Sequence, residues 1–150
     1  MTIEARLKSI RAEDLMTRFA ITVSEDQTIV DLANLFIRFK ISGIPVVNGG
    51  GEITGIVTAV NLFDHMREVM EKIESQTGAE QCDCNTSVVQ IMTRDVVTIT
   101  EQTTLYEMIK LMCEQHIHTF PVVRGDRLVG VVGRRDVMNA CYTTICCGRQ

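Results

Sequence analysis

The stretch "ISGIPVVNGGGEITGIVTAVN", residues 41–61, contains two apolar runs that flank a glycine-rich turn, and it ends in a polar segment. Two such runs predict a β-hairpin. Thr58, with Asn61 three residues later, predicts the first turn of a helix. Further along, "IHTFPVVRGDRLVGVVGRRD", residues 117–136, repeats the same order. The hairpin and its helix are therefore one half of a duplication.

The duplication extends over most of the chain. Met16–Val47 aligns with Met92–Val123 at an offset of 76 residues, and 11 of the 32 aligned pairs are identical. Past the two Pro-Val-Val triplets the offset falls to 75, because the first turn is one residue longer, and Asn61 then aligns with Asp136. A duplication tolerates a length change in such a turn.

Each copy is predicted to fold as β-α-β-β-α. Thr28 and Thr104 each follow a polar segment and precede a helical pattern, so both predict helix N-caps. The closing helices are predicted to begin near Thr58 and Gly133. The predicted strands are residues 20–23, 44–47 and 53–57 in the first copy and residues 96–99, 120–123 and 128–132 in the second.

A copy of about 50 residues buries too little surface to be stable by itself. We therefore expect the two copies to pack face to face and to share a core around a pseudo-twofold axis. The first closing helix also has one apolar face. This face comprises Val60, Phe63, Met66, Met70 and Ile73.

The length of 150 residues fits one module made of two halves. The predicted division is a first repeat at 10–73, a polar linker at 74–86, a second repeat at 87–142 and a tail at 143–150. A net charge of −4 gives no electrostatic case for nucleic acid. No apolar run approaches a membrane span, and no signal-peptide pattern is present, so we expect a cytoplasmic protein with reduced cysteines.

The segment "GVVGRRD", residues 130–136, is the more anion-attracting of the two predicted helix starts. A strand ends and a helix begins there, and the first N–H groups of a helix favour an anion such as phosphate. Gly133 allows close approach, Arg134 and Arg135 add charge that matches phosphate, and Asp136 can accept two hydrogen bonds from a ribose diol. The alternative is that Asp136 only caps the helix while solvent surrounds the arginines.

The repeated motifs resemble a known family, the CBS-domain pair or Bateman module. They are Met-Thr-x-x-x-x-x-Thr at the start of each copy, an apolar residue before Pro-Val-Val, and Gly-h-h-(Thr/Gly)-x-x-(Asn/Asp) at the end, where h is apolar. The resemblance covers residues 10–142. It implies an α/β fold of tandem βαββα repeats, often dimeric, with clefts between the repeats for AMP, ADP, ATP or S-adenosylmethionine. It also implies a regulatory, non-enzymatic module that needs no other cofactor and acts on a partner protein.

The resemblance also implies which residues form the site. The family's phosphate and ribose positions fall on Thr58 and Asn61 in the first copy and on Gly133 and Asp136 in the second, so each copy departs from the Thr/Asp pattern at one position. His118, aligned with Ser42, falls where a side chain reaches ligand phosphates, whereas His116 is expected at a helix C-terminus on the surface. The remaining implied positions are Ile44, Phe120 and the backbone near Ala20 and Val96, which could sandwich an adenine, and Thr22 and Thr98, which line the cleft.

Two other functions remain open. If the pockets are degenerate, the chain is a dimerisation or docking module. A thiol or zinc sensor would rest on four cysteines, although their spacing is not that of ordinary structural zinc sites; they are Cys82, Cys84, Cys146 and Cys147. Cys113 and Cys141 are expected to be buried as small hydrophobic side chains. No nucleophile–base pairing or paired carboxylates predict an enzyme.

Overall fold

The computed structural model describes residues 1–75 and 85–147. The chain divides into two compact units, which do not coincide with the two sequence copies. The continuous unit is Ile21–Val96, and the discontinuous unit combines Met1–Ala20 with Val97–Gln150. The opening Met-Thr-Arg segment of each copy therefore belongs to the unit that contains the hairpin of the other copy.

The elements of the described residues follow the predicted β-α-β-β-α order in the first copy, whereas the second copy lacks its first strand. In chain order they are α1 (Ile3–Ser9), α2 (Ala12–Leu15), β1 (Val23–Ser24), α3 (Ile29–Phe39), β2 (Gly43–Val47), β3 (Ile53–Thr58), α4 (Ala59–Glu74), α5 (Val88–Ile91), α6 (Leu105–Gln115), β4 (Thr119–Arg124), β5 (Arg127–Gly133) and α7 (Arg134–Cys147).

The continuous unit is built on a small mixed sheet in the order β1-β2-β3. β1 pairs in parallel with β2, and β2 pairs antiparallel with β3. Thr93, from the start of the second copy, forms an antiparallel bridge to Ile56 on the outer edge of β3. The core beneath this sheet comprises Val23, Leu32, Ile44, Val46, Val57, Val88 and Met92.

The discontinuous unit has the same layout around the antiparallel pair β4 and β5. Ile99 pairs in parallel with Val122, and Thr17 forms an antiparallel bridge to Val131 on β5. Its core comprises Ala12, Ile99, Leu105, Met108, Phe120, Val122, Val132, Val137 and Ala140. The duplication is therefore structural, and the exchanged segment docks at the same place in both units.

The predicted helix starts are confirmed. The hydroxyl oxygens of Thr28 and Thr104 accept hydrogen bonds from the N–H groups three residues ahead, in Asp31 and Glu107. The carboxylates of Asp31 and Glu107 accept from the cap N–H groups in return. Each capping box satisfies N–H groups that the helix leaves unpaired.

Two local predictions differ from the structure. The strand predicted at 20–23 begins only at Val23, because Ala20 and Ile21 belong to different units and the residues before Val23 have no ladder partner in β2. The strand predicted at 96–99 is absent as a strand, because only Ile99 pairs with β4, in an isolated parallel bridge to Val122. The apolar face of α4 stays outside a core, since no residue of α4 is buried. Amphipathicity shows that a face is apolar but does not show what covers it.

Candidate functional site

The second copy places a polar helix start directly after β5. Gly133 ends the strand, and its N–H donates a 2.8 Å hydrogen bond to Oδ2 of Asp136 in the first turn of α7. A Cβ added at Gly133 would meet only this oxygen, at an ordinary contact distance of 3.6 Å. Packing within the protein therefore does not require glycine here, and the missing side chain leaves space at the mouth of the helix.

Asp136 retains an unused acceptor. Its side chain is half-buried, and among the described residues no hydrogen-bond partner is found for Oδ1. Arg134 and Arg135 are exposed, and within residues 1–75 and 85–147 neither forms an ion pair. Arg124, in contrast, donates from Nε and Nη2 to Oε1 of Glu101 at 3.0 and 2.8 Å. Positive charge without a carboxylate partner is thus provided by the two arginines that open α7.

The first copy has the same geometry, but its polar groups are occupied. Oδ1 of Asn61 accepts from the N–H of Thr58 at 2.8 Å and from its hydroxyl at 3.0 Å. Nδ2 of Asn61 donates to Oγ1 of Thr93 at 3.1 Å. Both ends of the amide are therefore used within the continuous unit, and the hydroxyl of Thr58 is committed to the cap.

The other residues implied by the resemblance differ in exposure and are divided between the two units. Ile44 and Phe120 are 0% exposed, each in the core of its own unit. Thr98 and His118 are exposed. Half-buried Thr22 and Val96 accompany Thr58 and Asn61 in the continuous unit, whereas half-buried Ala20 accompanies Asp136 in the discontinuous unit.

The sequence did not predict that Thr93 contacts the first helix start. Thr93 contacts Asn61, yet it belongs to the opening of the other sequence copy. The feature of the sequence that could have indicated this contact is the identity of the two Met-Thr-Arg segments, which is the longest identical run at the starts of the copies. His116 forms the exposed C-cap of α6, with φ of 54°, which confirms its predicted position.

The sequence model of the CBS-domain family matches the chain twice, at residues 12–72 and at residues 88–143. The chain belongs to the CBS-domain family. The two matches make it a CBS-domain pair, as its repeated motifs predicted.

This CBS-domain pair covers a small part of one relative and most of another. Inosine-5'-monophosphate dehydrogenase of Methanocaldococcus jannaschii is 29% identical over 143 residues, which are 92% of this chain and 26% of that protein. The CBS domain-containing protein YhcV of Bacillus subtilis is 30% identical over 125 residues, which are 83% of this chain and 81% of that protein. The chain therefore spans about a quarter of the dehydrogenase but most of YhcV.

Solved structures share the fold of this CBS-domain pair. CBSX2 in complex with AMP has a TM-score of 0.73 at 23% identity, covering 89% of this chain and 97% of that chain. The CBS domain pair of MJ0100, in complex with 5'-methylthioadenosine and S-adenosyl-L-methionine, has a TM-score of 0.68 at 22% identity, covering 93% and 98%. At these identities the likeness establishes the fold.

The cysteines of this CBS-domain pair lie at different depths. Cys113 is exposed, so the prediction that it is buried is wrong; this position of α6 faces outward, like the aligned Ile37 of α3. Cys141 is half-buried, and this burial raises the pKa of its thiol. Cys82 and Cys84 lie outside the described residues, as does the side chain of Cys147. Elsewhere in the described parts, no group of three or more metal-binding side chains occurs, and no helix is long and apolar enough to cross a membrane.

This difference in depth predicts a difference in thiol reactivity. At mildly alkaline pH we expect iodoacetamide to modify Cys113 and Cys146 several-fold faster than Cys141, because the thiolate is the nucleophile and a raised pKa lowers its fraction. A time course with peptide mass spectrometry measures the three rates. In denaturant the rates should converge, and equal rates in the native protein would contradict the burial of Cys141.

Proposed function

We propose that this CBS-domain pair is a regulatory module that binds an adenosine-containing ligand, such as AMP, ADP, ATP or S-adenosylmethionine, and changes conformation when it does. The observation that carries the proposal is the unused carboxylate oxygen of Asp136, beside a helix start with two unpaired arginines. The ligands held by CBSX2 and by the MJ0100 pair, two proteins of the same fold, all contain adenosine.

Each part of the helix start has a distinct task in this proposal. Asp136 accepts hydrogen bonds from the ribose hydroxyls, since one of its oxygens holds Gly133 and the other is open. Arg134, Arg135 and the first N–H groups of α7 attract phosphate or carboxylate groups of the ligand. The resulting conformational shift can be no larger than the difference in ligand affinity between the two conformations.

The two helix starts should not bind equally. A ligand at the first start must break the bonds that Asn61 makes to Thr58 and Thr93, and leaving such groups unpaired costs about 1–3 kcal/mol each. A ligand at the second start breaks none of the bonds described there. We therefore propose one high-affinity site per chain, at Asp136.

A matched pair of substitutions tests this site. Asp136→Asn keeps an oxygen to accept from Gly133 but loses the charge and the second acceptor, so we expect adenosine-ligand affinity to fall about tenfold or more. Asn61→Ala removes the corresponding side chain in the first copy and should leave the affinity unchanged. Isothermal titration calorimetry with AMP, ATP and S-adenosylmethionine gives both the affinity and the stoichiometry.

The outcomes also distinguish the alternatives. A ligand at about 100 times its dissociation constant should raise the free energy of unfolding by about 2.7 kcal/mol. If none of the adenosine compounds stabilises the chain, the docking module with degenerate pockets is the better explanation. For the first copy, the hydrogen bonds that already occupy the Asn61 amide favour this alternative. Stabilisation by zinc alone would instead support the thiol sensor.

A further inference from the structure

The helix α1 (Ile3–Ser9) lies outside both CBS repeats, because the first match of the family model begins at residue 12. No residue of α1 is buried, and its half-buried Leu7 packs against the core cluster of the discontinuous unit. A helix of seven residues is not stable by itself in water. The helical state of α1 therefore depends on its contacts with the rest of the unit, and α1 undocks and unfolds in one event.

Two basic side chains hold α1 against α6 and α7, the helices on which it packs. Nζ of Lys8 lies 4.8 Å from the centre of the Tyr106 ring on α6, which is a cation–π distance. Nη1 of Arg6 donates to the backbone oxygen of Thr144 at 3.5 Å. That oxygen is one of the last four of α7, which lack partners within the helix, and positive charge is favourable at a helix C-terminus. Thus α1 contacts the C-terminal end of α7.

A hinge separates α1 from the first repeat. Ile10 ends the helix in an extended conformation, with φ of −87° and ψ of 130°. Its backbone oxygen accepts from the N–H of Leu105 at 2.8 Å, and the N–H of Ala12 donates to the oxygen of Thr103 at 2.8 Å. These bonds hold the chain beyond α1 without any contribution from α1 itself. The helix can therefore leave α6 and α7 while the repeat stays folded.

The other end of α7 forms the proposed binding site, with Asp136 in its first turn. Val137, Ala140 and Thr144 follow one face of α7 and are 4%, 8% and 4% exposed, so the helix is seated in the core along its length. Asp136 and Thr144 are about 12 Å apart along the helix axis. A rigid, packed helix can carry energetic coupling between its two ends. A shift of α7 at Asp136 therefore also alters its contact with α1.

We propose that α1 is a regulatory latch coupled to the Asp136 site, and that a ligand bound at Asp136 holds α1 docked; this inference rests on the proposed function. A ligand there breaks none of the bonds described at the second helix start, so it binds α7 in the position in which α1 packs on it. Such a ligand favours the docked state, and undocking of α1 weakens ligand binding by the same factor. Loss of the ligand then exposes the side of α6 and α7 that Leu7 covers.

Hydrogen exchange of the full chain, followed by mass spectrometry, measures the docking of α1. The amides of residues 6–9 exchange when α1 opens locally, without unfolding of the core. We expect AMP, ATP or S-adenosylmethionine, whichever binds, to slow this exchange about fivefold or more at saturation. The peptide that covers α3 in the continuous unit is the internal reference, and its exchange should change less than about twofold.

A matched pair of substitutions within α1 tests the reverse direction of the coupling. Leu7→Asp places a charge against the core cluster, so we expect it to undock α1 and to speed exchange at residues 6–9. Ile3→Asp makes the same change at a position that is 56% exposed, and it should leave α1 docked. In isothermal titration calorimetry, Leu7→Asp should raise the ligand dissociation constant by the factor by which the ligand slows α1 exchange in the wild-type chain. Ile3→Asp should leave the dissociation constant unchanged.

The outcomes separate the latch from the proposed function. If a ligand binds and Asp136→Asn weakens it, but the ligand leaves α1 exchange unchanged or speeds it, the latch is overturned and the proposed function stands. The latch is also overturned if Leu7→Asp frees α1 without changing the affinity. If none of the three compounds binds, the proposed function fails and the latch fails with it. The exchange measurement on the wild-type chain needs no substitution, so it decides the question even if Leu7→Asp does not fold by circular dichroism.

Discussion

Replacing Phe120 by alanine is expected to lower the free energy of unfolding by about 3–5 kcal/mol, the usual loss for a buried phenylalanine. Phe120 is 0% exposed, and its ring packs in the same core cluster as Leu105, Met108 and Val132. The substitution leaves a cavity beneath the β4–β5 pair. Urea unfolding followed by circular dichroism measures the change.

Phe19 provides the matched control. Its side chain is 103% exposed, so Phe19→Ala should change the stability by no more than about 0.5 kcal/mol. The comparison also tests how Phe120 serves the site. If Phe120→Ala left the stability unchanged but abolished ligand affinity, the ring would face a ligand, and its position in the core would be contradicted.

The second large effect is expected at Gly55, where the exchanged segment docks on β3. A Cβ on Gly55 would lie 2.6 Å from Sδ of Met92 and 2.9 Å from the backbone oxygen of Thr93. The sulfur can move, but the Thr93 oxygen is part of the bridge to Ile56. We therefore expect Gly55→Ala to lower the stability by about 1–3 kcal/mol, and Gly55→Val by more.

Gly49 serves as the control for Gly55, since a Cβ there meets nothing within 4 Å. Gly49→Ala should stay within about 0.5 kcal/mol of the wild-type stability in the same urea titration. Equal effects at the two glycines would mean that the segment containing Met92 and Thr93 does not pack tightly on β3. Gly130 repeats the arrangement in the other unit, where a Cβ would lie 2.7 Å from Sδ of Met16.

Local features of the fold could be predicted from the sequence, because the residues that determine them are neighbours. Thr28, Thr58 and Thr104 cap helices through bonds to residues three positions ahead, and both hairpins form around glycine turns. Because the chain contains two copies, each of these patterns occurs twice, and the two occurrences support the same prediction. Fold class and element order followed from these short-range patterns.

Long-range features could not be read in this way. The docking of Met16 against Gly130 joins positions that no local pattern connects, so the exchange between copies was not predicted. The alignment of Asn61 with Asp136 predicted a site in each copy, with the second the more anion-attracting. Only the structure shows that both ends of the Asn61 amide are bonded, Oδ1 to Thr58 and Nδ2 to Thr93. Side-chain exposure was also misjudged at Cys113, because the residue type favours burial but the position lies on the outward face of α6, like the aligned Ile37 on α3.

The division into a continuous and a discontinuous unit has a consequence for how the chain folds during synthesis. Residues 21–96 leave the ribosome as one uninterrupted stretch, so that unit can form before residues 97–150 have been translated. The first 20 residues emerge earlier, but they must wait for β5 before Thr17 finds its partner. A ribosome that stops after the first copy would therefore release a nascent chain with an undocked N-terminus and an uncovered edge on β3.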